Sequence, residues 1–334
     1  MNPFLFFKFV PLSVLQMLAR FIAWVIIKNP NLSVMRTIMT NLRLVYPDSS
    51  THKLQLLTEQ IVLNQCLSGV ESIKCWAMPP AWSLQQIRQV HNQSILTDAL
   101  NNPKGMLAIV PHLGTWEIMN AWLNQFGSPT IMYKPVKGRL SNDFVLKGRQ
   151  RLNATLVPTD GQGVKAIFKT LKQGGFSIIL PDHVPEPSGG VIAPFFGVDT
   201  LTSTLAPKLA SKTKCALVGL ACIRREDGTG YDIHCYDMND SQLYDRDAAI
   251  ATTAMNKALE HIINAHFIHY VWGYRRFKYL PVIHNPYKLD PAELKDYIQQ
   301  HIVPTRALQQ AANAPLSAAI SDTSAPSPTR QDDR

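Results

Sequence analysis

The chain has 334 residues, of which 46% are hydrophobic and 17% are charged, and its formal net charge is +9. Five cysteines without a C-x-x-C pair argue against a disulfide framework or a zinc site. The basic charge suits anionic lipid, an acidic protein or nucleic acid, but no zinc-finger or RNA-recognition pattern occurs, so nucleic acid is the least favoured partner. The apolar residues suffice for a large core and a membrane contact.

The first predicted element is an apolar helix at the amino terminus. Residues 9–27 contain a single charge, Arg20, and as a helix they extend roughly 28 Å, about the thickness of the hydrocarbon core of a bilayer. The segment ends in large residues where a signal peptide needs small ones. We therefore expect residues 1–28 to be an uncleaved membrane-spanning anchor. An amphipathic helix lying in the membrane interface is the alternative.

A helical region comes next, and then strands alternate with helices. Apolar residues at helical spacing between 31 and 79 predict helices, and a break follows at 77–83. Beyond residue 85, six apolar runs predict strands, at 106–110, 129–133, 154–158, 176–180, 215–223 and 231–237. Between the third and fourth of these, Val164, Ile167, Phe168 and Leu171 share one face of a helix that Gly174 and Gly175 end.

This alternation predicts an α/β fold in which a mixed sheet carries helices on its faces. Residues 29–305 would form this main domain. From about residue 306 the chain is rich in small and polar residues, so we expect residues 306–334 to be a disordered tail.

A histidine and a carboxylate follow the first of these strands. His112 lies two residues beyond the run 106–110, and Glu117 comes five positions later. The spacing alone means little, because 10 histidines and 24 acidic residues yield about one such pair by chance. The position carries more weight, because catalytic groups of α/β sheets lie beyond the carboxyl ends of strands. If Thr115 caps a helix that contains Glu117, the carboxylate can touch the imidazole and stabilise its charged form. The alternative is a buried histidine bonded to a carbonyl group.

A second strand ends in the same way. The run 176–180 leads into Pro181, Asp182 and His183, followed by a loop rich in proline and glycine. Two strand ends that carry histidine and carboxylate groups predict one shared crevice. The alternative for Asp182 is a loop cap.

Two basic clusters are candidates for binding an anionic substrate. The first contains Lys134, Arg149 and Arg151, directly after the predicted strand 129–133. The second, WGYRRFKYLP at 272–281, contains Arg275 and Arg276. Arginine binds phosphate and carboxylate in a fork geometry. The ordinary alternatives are a solvated helix face for the first cluster and a packed edge for the second.

The order of these motifs resembles the bacterial lipid A biosynthesis (late) acyltransferases, the lauroyl and myristoyl transferase family. The matching segments span residues 3–280 in order: NLRLVYP (41–47), PHLGTWE (111–117), YKP (133–135), GRQR (148–151), PDHVPEPSGGVIAPFFG (181–197) and WGYRRFK (272–278). No single segment is specific, but six in sequence are. There are two departures from the family pattern: Tyr274 stands where the family commonly has histidine, and Pro181 and His183 flank the acid where the family often has glutamine beside it.

The resemblance implies a fold of the glycerolipid acyltransferase type with a catalytic H-x4-D/E dyad, here His112 and Glu117. It implies an acyl-carrier-protein thioester as donor, a lipid A precursor as acceptor, and a location at the cytoplasmic face of the inner membrane. His112 would act as general base, with Glu117 steadying the imidazolium. Lys134, Arg149, Arg151, Asp182, Arg275 and Arg276 would bind substrate. The mechanism needs no cofactor or metal.

Two other functions stay open at this level. The chain could acylate another lipid, such as a phospholipid or an aminolipid, because the residues that select the acceptor cannot be chosen from one sequence. It could also be a membrane protein that binds lipid in a basic cleft without catalysis. The combination of His112 and Glu117 argues against that last function.

Overall fold

The computed structural model describes residues 2–283 and 285–313. Its helices are α1 (Leu12–Ile27), α2 (Ser33–Val45), α3 (Thr51–Ala77), α4 (Pro80–Gln85), α5 (Gln93–Leu100), α6 (Trp116–Leu123), α7 (Arg139–Gln150), α8 (Gly161–Lys172), α9 (Leu205–Thr213), α10 (Ala248–Ala265), α11 (Pro291–Tyr297) and α12 (Val303–Asn313). Its strands are β1 (Ile87–His91), β2 (Met106–Ile109), β3 (Thr130–Met132), β4 (Thr155–Val157), β5 (Phe176–Ile179), β6 (Gly190–Phe195), β7 (Val198–Ser203), β8 (Ala216–Arg224) and β9 (Tyr231–Asp237).

Seven strands form the central sheet, in the order β1-β9-β8-β2-β5-β3-β4. Neighbours run parallel except β8 and β9, which are antiparallel. This confirms the predicted α/β fold with a mixed sheet, and all six predicted strands are present. The antiparallel hairpin β6–β7 lies outside this sheet.

The centre of the sheet is covered on both faces. Every residue of β2 and β5 is buried, which explains why these strands are continuous apolar runs. Along β2, Leu107 and Ile109 pack into one hydrophobic cluster, while Met106 and Ala108 pack into the other. Side chains of a strand alternate between the two faces of a sheet, so each cluster lies on one face.

Side-chain caps fix the starts of three helices. Ser50 accepts a hydrogen bond from the backbone of Lys53 at the start of α3, Asp160 caps α8, and Asp247 caps α10. Such caps satisfy backbone N–H groups that have no partner within the helix. The predicted helix with Val164, Ile167, Phe168 and Leu171 on one face is α8, and Gly174 and Gly175 follow its end.

The amino-terminal segment corrects one prediction. Pro11 is the N-cap of α1, which leaves a helix of 16 residues, whereas spanning a bilayer takes about 20. Over residues 2–283 and 285–313, the structure offers no helix with the length and apolar character to cross a membrane. The predicted membrane-spanning helix is therefore unsupported. Instead, α1 packs along α3 and buries Leu15, Ala19 and Ala23.

Three further details differ from the sequence prediction. The edge strand β1 and the hairpin β6–β7 were not predicted, and β6 contains Pro194 and begins at Gly190, residues that weaken a strand pattern. The break at 77–83 is shorter than predicted, because α4 begins at Pro80. The start predicted for the tail, residue 306, lies inside α12, where Arg306 Nη1 donates to the carbonyl of Val45 at 2.8 Å. Residues 314–334 lie outside the described residues.

Candidate active site

The ends of two neighbouring strands bring His112 and Asp182 together. Strands β2 and β5 pair in parallel, with Ile109 opposite Ile179. His112 and Asp182 each lie three residues beyond this pair, so the register places them side by side. Nδ1 of His112 is 2.8 Å from Oδ1 of Asp182, and the backbone N–H of His112 donates to Oδ2 at 2.9 Å. The two strand ends therefore lie side by side, as the sequence predicted.

The contact favours the ionised form of Asp182 and one tautomer of a neutral His112. Burial acts to raise the pKa of Asp182, but the attraction of His112 and the hydrogen bonds from it outweigh burial and hold that pKa well below its ordinary value. The ionised carboxylate then accepts Nδ1–H and leaves Nε2 of His112 without a proton. The His112 side chain is 25% exposed, and its Nε2 forms no hydrogen bond with the described residues, which makes it a candidate base.

The turn that carries His112 is held on both sides. Gly114 has φ +61°, and a Cβ there would collide with the carbonyl oxygen of Cys222 on β8, so only glycine fits. The carbonyl of His112 accepts the N–H of Val271, and the N–H of Gly114 donates to the carbonyl of His269, each at 3.0 Å. These bonds make the imidazole part of the rigid sheet end.

Glu117 does not bind His112, contrary to our prediction of a direct contact. Within the described chain, no hydrogen bond or ion pair joins the two residues. Glu117 lies on the side of α6 that faces α3 and α7, where its Oε1 accepts a hydrogen bond from Nη2 of Arg149 at 2.6 Å. The imidazole nitrogen that we assigned to Glu117 is occupied by Asp182.

Arg149 is held by aromatic rings as well as by Glu117. Its guanidinium carbon lies 4.6 Å from the centroid of the Trp116 ring and 5.5 Å from that of Tyr133. Its side chain is 15% exposed. A guanidinium that lies above the face of an aromatic ring is attracted to it, so both rings stabilise the charge of Arg149. Arg149 is therefore a cation held at the first turn of α6.

The structure separates the other predicted substrate-binding residues. Lys134 is exposed and close enough to His183 to act on its charge. Arg151 caps α3, because it donates to the carbonyls of Trp76, Ala77 and Met78.

The two arginines of the second cluster also differ from each other. Arg275 is exposed, with its guanidinium 5.7 Å from the Tyr287 ring. Arg276 is 1% exposed and donates to the Leu201 carbonyl at 2.9 Å and to Thr202 Oγ1 at 2.7 Å. The contacts of Arg276 are those of an interior residue, whereas Arg275 lies at the surface.

A buried ionic network that the sequence did not predict holds the end of the His112 turn at Thr115. The carboxylate of Glu71, on α3, is fully buried and binds Nη1 of Arg224 at 2.8 and 3.0 Å. The Thr115 hydroxyl donates to the same carboxylate at 2.6 Å, and Gln16 of α1 donates to it at 3.0 Å. Thr115 is the N-cap residue of α6, as predicted, but its hydroxyl binds Glu71 rather than capping the helix. No motif distinguishes Glu71 from the other acids of the chain.

Sequence reasoning also missed a stack of three rings. The rings of His112 and His183 are nearly parallel, with 3.6 Å between their centroids, and Tyr274 stacks on the other face of His183 at 4.2 Å. His183 and Tyr274 are two of the positions at which the sequence departs from the pattern of the resembling family. That shared departure was the signal that could have linked them.

The lowered pKa values of three histidines predict that the stability of the fold depends on pH. Burial lowers the pKa of His183, His266 and His269 to about 4, against about 6.5 in an unfolded chain. Between these values the unfolded state binds more protons, so the free energy of unfolding should fall as the pH falls from about 6.5 to about 4. Glu260 opposes this trend, because burial raises its pKa to about 7, but one group does not offset three. Denaturant unfolding at pH 7.5 and pH 5 measures the effect, and equal stability at both values would contradict it.

None of the described residues form a group of three or more histidine, cysteine or acidic side chains that could hold a metal ion. The side chains at the site supply a base whose Nε2 forms no hydrogen bond with the described residues, an ionised partner and, against the Trp116 ring, the cation of Arg149. These groups suit the removal of a proton from a hydroxyl group at the end of a parallel sheet.

Comparison with known proteins gives the class and then the family. The relatives of this chain are named as acyltransferases. The chain is therefore an acyltransferase with an α/β fold. It belongs to the bacterial lipid A biosynthesis acyltransferase family, whose family model matches residues 4–279. This confirms the resemblance inferred from the six motifs.

The two Escherichia coli relatives match this chain over most of their length, whereas a mycobacterial relative matches it over less than half. The lipid A biosynthesis lauroyltransferase of Escherichia coli (strain K12) is 27% identical over 245 residues, which is 72% of this chain and 78% of the relative. The lipid A biosynthesis palmitoleoyltransferase of the same organism is 24% identical over 243 residues, with the same coverage. The phosphatidylinositol mannoside acyltransferase of Mycolicibacterium smegmatis (strain ATCC 700084 / mc(2)155) is 27% identical over 143 residues, which is 42% of this chain and 47% of the relative.

Proposed function

We propose that this chain transfers a fatty acyl chain from an acyl-carrier-protein thioester to a hydroxyl group of a lipid A precursor, at the cytoplasmic face of the inner membrane. The observation that carries the proposal is the imidazole of His112, held by the ionised Asp182 through Nδ1 with Nε2 free. The names of the two Escherichia coli relatives support lipid A as the acceptor.

His112 acts as the general base of this reaction. Its Nε2 takes the proton of the acceptor hydroxyl while the oxygen attacks the thioester carbonyl. Asp182 stabilises the imidazolium that forms, because its carboxylate lies 2.8 Å from Nδ1. The tetrahedral intermediate then collapses, the C–S bond breaks, and the imidazolium protonates the departing thiolate. The products are an ester and the free carrier thiol, and no acyl-enzyme intermediate forms.

Glu117 serves this site through Arg149 rather than through His112. Both side chains of this ion pair are largely buried, and removing one partner of a buried pair leaves the other charge uncompensated. Glu117 therefore keeps Arg149 at the Trp116 ring, where its remaining donors can bind a phosphate or sugar acid of the acceptor. Lys134 and Arg275, both exposed, add positive charge for the acceptor or for the acidic carrier protein.

The amino-terminal segment attaches the enzyme to the membrane surface. While α1 buries Leu15, Ala19 and Ala23 against α3, much of its remaining surface is apolar and exposed. Such a surface suits a helix lying in the interface. The exposed large apolar residues of this segment are Leu5, Phe6, Phe9, Val14, Met17, Leu18, Phe21, Ile22, Trp24 and Val25.

Polar substitution of this surface should weaken membrane binding. The double variant Phe21→Ser/Trp24→Ser removes two exposed rings, 59% and 56% exposed, so the fold should persist. Burial of each ring in lipid contributes roughly 1.5–3 kcal/mol, and we expect at least a tenfold weaker association with vesicles that contain anionic lipid. Vesicle co-sedimentation measures this association. Ile250→Ser, on the exposed part of α10, is the control and should bind like the wild type; equal binding of all three proteins would contradict the interfacial attachment.

A related acceptor is the second candidate function. The similarity to a phosphatidylinositol mannoside acyltransferase favours it, because that relative is named for a different lipid. Supplying the purified protein with acyl-carrier-protein thioester and two acceptors side by side, a lipid A precursor and a lysophospholipid, separates the alternatives. We expect acylation of the lipid A precursor, and acylation of the lysophospholipid alone would favour the second function.

A further inference from the structure

The face of His112 is covered by a second imidazole. The rings of His112 and His183 lie within 7° of parallel, with centroids 3.6 Å apart. On the other face of His183, the Tyr274 ring is 4.2 Å away, and its hydroxyl oxygen accepts the backbone N–H of Val184 at 3.0 Å. His183 is thus clamped between two rings, with its backbone fixed on both sides by Asp182 and Val184.

The edge of His183 stays open although both of its faces are covered. The residue is exposed, and in the part of the chain that the structure describes its ring nitrogens form no hydrogen bond. The same is true of Nε2 of His112. Two nearly parallel rings 3.6 Å apart, each with a ring nitrogen that forms no hydrogen bond with the described residues, therefore lie together at the end of the sheet.

His183 is neutral at physiological pH. Burial of its ring faces and the neighbouring His112 both lower the pKa of His183 to about 4. A neutral imidazole has one N–H donor and, unlike an imidazolium, does not repel the positive charge that His112 acquires during the reaction. Neutral histidine is an effective electrophile for a developing oxyanion when it is fixed in advance.

We propose that His183 is a catalytic residue whose imidazole N–H donates a hydrogen bond to the thioester carbonyl oxygen as that oxygen becomes an oxyanion. This rests on the proposed acyl transfer. The oxygen that His112 deprotonates and the carbonyl oxygen bind the same carbon atom in the tetrahedral intermediate, so two groups at adjacent ring edges can reach both.

The step is balanced without any further reactant. The hydroxyl proton moves to Nε2 of His112 as the C–O bond forms, and the carbonyl π electrons become the oxyanion lone pair that His183 N–H binds. When the carbonyl reforms, the C–S bond breaks and the thiolate takes the proton from His112. His183 keeps its proton throughout.

Substitutions at position 183 separate hydrogen bonding from packing. His183→Phe keeps a stacked ring and removes the N–H, whereas His183→Gln keeps an N–H donor. We expect His183→Phe to lower kcat by about 10²–10³-fold with little change in KM, because the bond exists only in the transition state. His183→Gln should retain at least about tenfold more activity than His183→Phe. The readout is release of the free carrier thiol, together with the pH profile of kcat/KM. His52→Phe, at an exposed histidine of α3, is the matched control.

Each outcome decides the proposal. A kcat for His183→Phe close to that of the wild type would overturn it and leave His183 as a packing residue. The proposal would also be overturned if His183→Phe shifted the pH profile and His183→Gln restored no activity. His183 would then act only by positioning His112. A wild-type protein that releases no thiol, with or without an acceptor, would overturn the acyl transfer itself and this proposal with it. Thermal unfolding of each variant verifies that it is folded.

Discussion

Replacing His112 with alanine is expected to lower kcat for acyl transfer by about 10²–10⁴-fold, the usual contribution of a general base. The side chain is partly exposed at the end of the sheet, and the turn is also held by the backbone N–H and carbonyl groups of His112, which the substitution keeps. The variant should therefore fold and still bind its substrates. Initial rates of ester formation from the thioester measure the loss.

The control for this experiment is His52→Ala, which changes an exposed histidine far along the sequence from the sheet ends. It should retain wild-type activity. If folded His112→Ala protein transferred acyl groups at nearly the wild-type rate, base catalysis by His112 would be excluded.

Asp182→Asn is expected to lower kcat far more than Glu117→Gln. The carboxylate of Asp182 accepts a hydrogen bond from Nδ1 of His112 and thereby keeps Nε2 free. An asparagine amide can instead donate to Nδ1, which leaves the proton on Nε2 and removes the base, so we expect a loss of about 10²–10⁴-fold. Glutamine at position 117 can still accept from Arg149, so its main effect should be a higher KM for the acceptor. Steady-state kinetics of both variants measure kcat and KM separately.

The comparison decides between two carboxylates. The sequence resemblance led us to expect Glu117 as the partner of His112, whereas the hydrogen bonds of His112 go to Asp182. Asp98→Asn, at an exposed position of α5, should leave both constants unchanged. A larger loss of kcat in Glu117→Gln than in Asp182→Asn would contradict the assignment to Asp182. It would support the dyad of His112 and Glu117 that the resemblance implies.

The sequence predicted six of the nine strands of the described residues, because the signal of those six is local. Strands buried on both faces are continuous apolar runs, and those runs are visible without knowing what covers them. The order of the strands is not local. His112 meets Asp182 only because β2 and β5 are neighbours in parallel with Ile109 opposite Ile179, and the spacing of either residue along the chain says nothing about that register.

The assignments of charged residues were harder for a physical reason. The sequence of a basic cluster does not show which of its arginines reach solvent. In the structure Arg151 caps a helix, Arg276 lies in the interior and Arg275 faces solvent. Likewise, the charge of Glu117 gave no indication that Arg149, 32 positions away, rather than His112, would be its partner. The amino-terminal run was apolar enough to suggest a spanning helix, but Pro11 shortens it, and its packing on α3 uses part of the apolar surface.

The most direct test of the proposed acyl transfer measures lipid A itself. Lipid A is extracted from a bacterium that encodes this chain, from a strain that lacks it, and from that strain supplied with wild-type or His112→Ala protein, and mass spectrometry measures each lipid. The account predicts that the deletion strain lacks the mass of one acyl chain, that the wild-type protein restores it, and that His112→Ala does not. Unchanged lipid A in the deletion strain, or full restoration by His112→Ala, would contradict it.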